Sequence, residues 1–499
     1  MNNESITQGS PIKTEELLSH KVSKGIVWVT VTDICVKIIN FISTIILARL
    51  LAPSEFGLMA AAMAVISFSQ GTTSTGFESA IIQKQDKPER FLNVAWTFEL
   101  LRCSFLFLII YFAAPFLSIF FAEPKMVDLL RIISVLFILQ GTRNIGVVYF
   151  KKNLDFAKQF YYDLIPLIVN VLTVTTLALI LRDVWALVWA SIASSFCTNI
   201  MSYLMHPYRP RVDLDMKKAK ELFSFGKWIL VSSILVMIRD QGVTMFAGKV
   251  FNMSVLGYYN RAGVYSSLIF QQIAEIAWKI GYPAFSQLQH NSQKLNVAFI
   301  GTLQILTFIG LPVAGGLYIL SNSFVILFLT EIWAPMIPLI KILSLQAAIL
   351  FINTPASILF QACGRPSISV KISFISIIIF VLTIYPLSMK WGISGTLFSM
   401  LLSSLLVTPA IWFMARSLTG LTVIELMKPI IISLINTTLM VYIVLLFQGF
   451  IFVEVNFSNF FSLVCIGFIS YFAFAVFFDK FLNYGIYNLV RERILVLKK

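Results

Sequence analysis

Apolar residues in this chain neither alternate nor keep to one narrow helical stripe. They come in blocks of about 20 to 30, separated by short polar runs. A helix needs about 20 apolar residues to cross the roughly 30 Å hydrocarbon core of a bilayer. The blocks therefore predict transmembrane helices near 25–48, 57–82, 93–121, 127–149, 159–181, 184–204, 225–248, 254–283, 296–320, 336–361, 367–388, 391–415, 427–449 and 459–478, fourteen in all. The block at 57–82 is the most polar of them. No loop exceeds roughly 20 residues, so no soluble domain is inserted. The expected fold class is an all-α polytopic membrane protein.

The loops carry the orientation. Numbered alternately from a cytoplasmic N-terminus, one side holds about 23 Lys and Arg and the other about five (Arg49, Lys125, Arg182, Lys249 and Lys390), the bias of the positive-inside rule. Both termini are thus expected in the cytoplasm. The polar first twenty residues, with no short apolar region and cleavage site after them, predict a retained first span rather than a signal peptide. Shifting the sequence by 200 residues aligns 28–62 with 228–262 without a gap, nine of 35 positions being identical, including Trp28/Trp228, Ser54/Ser254 and Gly57/Gly257. Such a repeat predicts two parallel-related, pseudo-symmetric six-helix bundles. The expected organisation is a cytoplasmic segment 1–24, a first bundle 25–204, a basic linker 205–224 and a second bundle 225–415. A C-terminal helix pair 427–478 and a basic tail 479–499 follow.

Composition narrows the function. With 58% hydrophobic and only 12% charged residues, the 499-residue chain cannot coat soluble domains with polar surface. The net charge of +14 lies mostly in loops that set topology, so it does not imply nucleic acid. Five cysteines (Cys35, Cys103, Cys197, Cys363 and Cys465) show no pairing or metal spacing and read as packing residues. The three histidines, His20, His206 and His290, lie in or near loops and far apart. Neither a nucleophile elbow nor a phosphate-cradling Gly loop is present. Asp213-Leu214-Asp215 has an Asp-x-Asp form in a loop too short to belong to a nucleotide-binding domain. A catalytic role, a metal and an organic cofactor are accordingly not expected.

An ionisable side chain at bilayer depth costs roughly 2.5–3.5 kcal/mol on insertion scales, so each needs a reason. The candidates are Asp33 and Lys37 in span 1, Glu99 and Arg102 in span 3, Arg143 in span 4, Arg239 and Asp240 in span 7, and Arg261, Glu275 and Lys279 in span 8. Asp33–Lys37, Glu99–Arg102 and Glu275–Lys279 have the i,i+3 or i,i+4 spacing of one helical face, and mutual neutralisation is the competing explanation for the last two pairs. Glu78 and Asp163 lie near helix ends, where they can reach the interface. Lys37, Arg239 and Asp240 are deepest. In the repeat Asp240 matches Asn40, on the face of Lys37, so these groups point to the space between the bundles, where secondary transporters hold their substrate. Six cations against four anions make only a small excess.

The run KGIVWVTVTDICVKIINFISTIILARLLAPSEFGLMAAAMAVISF, with GFESAIIQKQD, KELFSFGKW, YPAFSQLQHNSQKL and LFLTEIWAPMIPLIKILSLQA, resembles bacterial polysaccharide exporters of the multidrug/oligosaccharidyl-lipid/polysaccharide exporter superfamily. The likeness covers roughly residues 20–350, and the branch is that of teichuronic- and colanic-acid exporters and O-antigen flippases. It implies a flippase of the bacterial cytoplasmic (inner) membrane that moves undecaprenyl-diphosphate-linked oligosaccharide repeat units by alternating access. It also implies membrane lipids, a polymerase and glycosyltransferases as partners, and a proton or sodium gradient as driving force. Carried over residue by residue, Lys37, Arg239 and Arg261 become contacts to the diphosphate or acidic sugars, with Arg102 and Arg143 also in the substrate cavity. Asp33, Asp240 and Glu275 become coupling or gating groups, and spans 13 and 14 a groove for the lipid tail. Span 2 departs from the pattern, offering Gln70, Thr72, Thr73, Ser74 and Glu78 without a central Arg. A cation-coupled multidrug exporter of the same superfamily is the alternative.

Overall fold

The computed structural model describes residues 35–83, 89–153, 155–452 and 454–482, and all regular structure among them is helical. Thirteen of the fourteen apolar blocks fall on continuous or broken helices, as do residues 35–48 of the first; its residues 25–34 lie outside the described residues. Among the described residues eight helices are long and apolar enough to cross a membrane, nine with one bent pair counted as a span. One of the eight, Pro366–Thr419, has 54 residues. At 1.5 Å per residue it would run about 80 Å, far beyond one bilayer. It is two spans joined by a break at Trp391 and Gly392, where Gly392 sits at φ +61°, ψ −147°, a conformation open essentially to glycine alone. Two compact units divide the chain, Met1–Leu256 and Gly257–Lys499.

In the first unit, helix α1 (35–50) turns at 51–52 into α2 (Pro53–Thr72). Pro53 opens α2, where its missing N–H costs nothing, and Ala52 before it is extended, as a residue preceding proline must be. The helix break at 51–52 recurs at 251–252, between α10 (Met216–Val250) and α11 (Met253–Leu288), 200 residues on, at the register of the internal repeat. Small residues Gly57, Ala60, Ala61 and Ala64 are buried along α2. α10 packs on α2 so closely that a Cβ on Gly71 would lie 2.2 Å from Met237 Cγ.

Helix α4 (Glu89–Phe121) shows why hydropathy alone hid its faces. Leu101, Phe105, Leu108, Phe112, Phe116 and Ile119 form an exposed stripe at helical spacing, while Cys103, Leu106, Ile110 and Ala114 are buried. A helix that is apolar on both its buried and its exposed faces has lipid as solvent.

Two predicted single spans are broken. The block at 57–82 is α2 followed by α3 (Phe77–Gln83), separated by residues 73–76 with Gly76 at φ +66°. The block at 127–149 comprises α5 (Met126–Ile133), α6 (Val135–Gly141), a 3-10 turn at Ile145–Val147 and α7 (Val148–Lys152), with a 66° bend. Broken backbone at membrane depth is tolerated only where its polar groups find partners. α8 (Phe156–Leu181) leads into α9 (Trp185–Met205), which supplies them. Asn199 Nδ2 donates to Leu139 O and Thr142 Oγ1, both at 2.7 Å. Tyr203 Oη donates to Thr142 O at 2.7 Å, and Ser202 Oγ accepts Asn144 N at 3.0 Å.

The second unit holds most of α11, then α12 (Ser292–Phe324), α13 (Ile337–Ala362), α14 (Pro366–Thr419), α15 (Val423–Phe450) and α16 (Phe457–Leu482). Asn291 caps α12, and a Thr422–Glu425 capping box starts α15. Polar pairs fix helix register inside the apolar interior: Gln346 with Ser404 at 2.7 Å, Asn353 with Thr408 at 2.8 Å, and Ser433 with Thr307 at 3.3 Å. α16 packs on α15 and α12.

Candidate functional site

A polar cavity of about 560 Å³ opens in the first unit, walled by α2, α3, α4, the bend after α6, and α10. The break after α2 creates it. Thr73 Oγ1 turns back onto Ser69 O at 2.7 Å, and Arg102 of α4 reaches across to the frayed end of α2. Its Nη1 donates to Thr73 Oγ1 at 2.8 Å and to Gln70 O at 3.4 Å. The guanidinium thereby occupies the negative C-terminal end of a helix dipole, where a cation is stabilised.

The other edge of Arg102 grips Glu99. Nε donates to Oε2 at 3.0 Å and Nη2 to Oε1, a bidentate pair that is 13% exposed on the Arg side and 26% on the Glu side. Gln70 Nε2 donates to Gln140 Oε1 at 2.7 Å, and Gln140 Nε2 lies 3.5 Å from Glu99 Oε1. A second pair stands nearby: Glu78 lies 3.7 Å from Arg143 Nη2 and 3.5 Å from Lys151 Nζ. Among the described residues the charged lining side chains are thus Glu78, Glu99, Arg102 and Arg143, two of each sign. Trp96 and Gln241 complete the polar wall, and Trp96 Nε1 is a buried donor without an acceptor among the described residues.

Of the residues proposed from sequence, the structure brings Arg102 and Arg143 together in this cavity. Lys37 is half-buried on α1 and Asp240 exposed on α10, neither in the lining. Arg261 belongs to α11, where Nε and Nη2 donate to Asn260 Oδ1 at 3.3 and 2.9 Å. Glu275 and Lys279 form the i,i+4 pair their spacing predicts, at 2.8 Å, each about half exposed. Asp33 and the side chain of Arg239 lie outside the described residues. Glu78, set aside as a helix-end group, stands in the cavity wall. Trp96 and Gln140 went unnamed because a search for charges passes over neutral polar side chains in apolar blocks.

Beside the cavity, loop 206–215 is strapped to α4. Asn93 Oδ1 accepts the Tyr208 hydroxyl and Arg211 N, Thr97 Oγ1 accepts Asp213 N at 2.9 Å, and Asn144 Nδ2 donates to Tyr208 O at 2.7 Å. Burial and the neighbouring Tyr149 and Asp213 push the Tyr208 phenol up to about 12, so it remains a donor throughout the physiological range. The Asp-x-Asp pair serves the strap: Asp215 caps α10 by accepting Lys217 N and Lys218 N, and Lys218 Nζ lies 3.4 Å from Asp213.

His206 stacks on Tyr149 at 5.7 Å and accepts Tyr208 N at 3.2 Å through Nδ1. Burial, then the cations Lys158 and Arg209, hold its pKa below the ordinary value. A depressed folded-state pKa favours neutral imidazole, so the strap keeps full stability above the unfolded value of about 6.5 and loses it as pH falls below that. Backbone amides of 206–215 should therefore exchange with deuterium several-fold faster at pH 5 than at pH 7.5, after correction for intrinsic rate. In His206→Gln the pH difference should vanish. Equal protection at both pH values in the wild type would exclude this coupling.

The described residues, all helical in their regular structure, with broken helices around a charge-paired cavity on a scaffold apolar toward lipid, define a polytopic membrane protein. The chain belongs to the polysaccharide biosynthesis protein family, whose model matches residues 46–338. It is 23% identical over 434 residues to an uncharacterized membrane protein in the cps region of Klebsiella pneumoniae, covering 86% of this chain and 89% of that one. It is 25% identical over 337 residues to the succinoglycan biosynthesis transport protein ExoT of Rhizobium meliloti, covering 67% of each. Among solved structures, the inward closed conformation of the lipid II flippase MurJ superposes with a TM-score of 0.73 at 15% identity, over 92% of this chain and 99% of that one. The last likeness concerns fold alone.

Proposed function

We propose that this protein is a flippase that moves undecaprenyl-diphosphate-linked oligosaccharide repeat units across the bacterial cytoplasmic membrane, with both termini in the cytoplasm. The carrying observation is the cavity: ion pairs and amides inside an otherwise apolar bundle are where a polar headgroup escapes the cost of hydrocarbon. Family membership and the transport role in the name of the Rhizobium relative support a glycan as cargo. Arg102 and Arg143 bind within the headgroup cavity. Lys37, Arg239 and Arg261 meet the diphosphate, and Asp33, Asp240 and Glu275 couple or gate transport to a proton or sodium gradient. Residues 25–204 and 225–415 act as the two alternating bundles, and α15 with α16 takes the lipid tail. Glycosyltransferases act before this step and a polymerase after it.

Deletion of the gene should abolish surface polysaccharide and trap the lipid-linked unit in the cytoplasmic leaflet. Unchanged polymer with heightened sensitivity to cationic drugs would replace this reading by that of a multidrug exporter.

A further inference from the structure

The cavity's composition specifies more than a polar headgroup. We propose that it is a sugar subsite that takes an uncharged glycosyl unit of the cargo through its hydroxyls and leaves the diphosphate to cations elsewhere. The inference rests on the flippase reading.

A phosphate or carboxylate ligand needs cations that are not already matched, yet both lining cations among the described residues are paired. Arg102 is held by Glu99 through two nitrogens, and Arg143 faces Glu78 at 3.7 Å. Among the described lining residues an anion would meet two carboxylates as well as two guanidiniums, and the neighbouring Lys151 is itself engaged by Glu78 at 3.5 Å. A sugar hydroxyl has the opposite requirement, because it donates and accepts at once and is best met by donors and acceptors side by side. The wall presents that mixture: the Glu99–Arg102 pair, the linked amides of Gln70 and Gln140 at 2.7 Å, and hydroxyls at Ser67, Ser74 and Thr75.

The second observation is Trp96. Its indole lines the cavity and offers an aromatic surface for the apolar C–H groups of a sugar ring. The volume of about 560 Å³ falls within the 300–1,000 Å³ or so of small-molecule sites.

The test uses the full-length protein in lipid nanodiscs and two probes: undecaprenyl diphosphate without sugar, and the sugar-bearing lipid extracted from the deletion strain. Wild type should bind the sugar-bearing lipid at least about tenfold more tightly. Trp96→Ala removes the ring, and should lose about three- to tenfold of that preference, the range of one aromatic contact. Its affinity for undecaprenyl diphosphate should not change. Gln140→Ala should behave alike, so the test survives a failure of either variant to fold. Mass spectrometry of the extracted glycan should find at least one uncharged residue. Equal binding of both lipids by wild type, equal losses for both lipids in the variants, or a glycan built only of acidic residues would overturn the sugar subsite while leaving the flippase standing. Binding of neither lipid by wild type would remove both.

Discussion

Arg102→Ala should give a protein that reaches the membrane but exports nothing and unfolds about 10 °C below wild type in nanodiscs. The guanidinium does two things at once. It ends α2, through Thr73 Oγ1 and Gln70 O, and it neutralises Glu99. Removing it leaves a carboxylate in a largely enclosed wall and an unsatisfied helix terminus. Breaking a buried pair from one side costs about 3–5 kcal/mol, and a kilocalorie is worth roughly 2–4 °C in a unit of this size. Arg102→Lys should recover part of the stability, since a point charge cannot hold Glu99 with two nitrogens while reaching Thr73. The double replacement Glu99→Gln with Arg102→Gln should be more stable than Arg102→Ala, because no charge is then stranded. A wild-type melting temperature for Arg102→Ala would show that Arg102 caps nothing.

Gly395→Ala should yield no stably folded protein. A Cβ there would stand 1.9 Å from Leu387 O, and both partners are backbone, so no side chain can swing aside. The two limbs of α14 meet at this point, with Ser388 and Thr396 hydroxyls 2.8 Å apart and both residues buried. Gly392→Ala should be milder, at the 1–3 kcal/mol or so of a residue held in a strained conformation. Gly316→Ala, which meets nothing within 4 Å, should fold like wild type and serves as the control. Size-exclusion profiles of the fluorescently tagged variants in detergent rank the three. A monodisperse Gly395→Ala peak at wild-type yield would contradict the close approach.

The positions of the helices were legible in the sequence because bilayer thickness imposes one length on every span. The repeat was legible because its register places a helix break at both 51–52 and 251–252. The spacings of Glu99 with Arg102 and of Glu275 with Lys279 also predicted ion pairs that the structure contains. The breaks at 73–76 and 142–144 were not legible. Hydropathy averages over them, and the groups that make them tolerable are remote in sequence: Arg102 for the first, and Asn199, Ser202 and Tyr203 for the second. The cavity depends on both breaks, so its lining could be sensed only in part, from Gln70, Ser74 and Glu78 on one side and Arg102 and Arg143 on the other. The role of Asp215 as a helix cap likewise depended on knowing that α10 begins directly after it.

The balanced lining also has an electrical meaning. A membrane potential does work of about 2.3 kcal/mol on each elementary charge carried through 100 mV. Glu78, Glu99, Arg102 and Arg143 sum to zero formal charge. A movement that carries these four together through the field therefore transfers no net gating charge. Whatever voltage dependence transport displays must arise from the cargo, from a coupling ion or from charges other than these four.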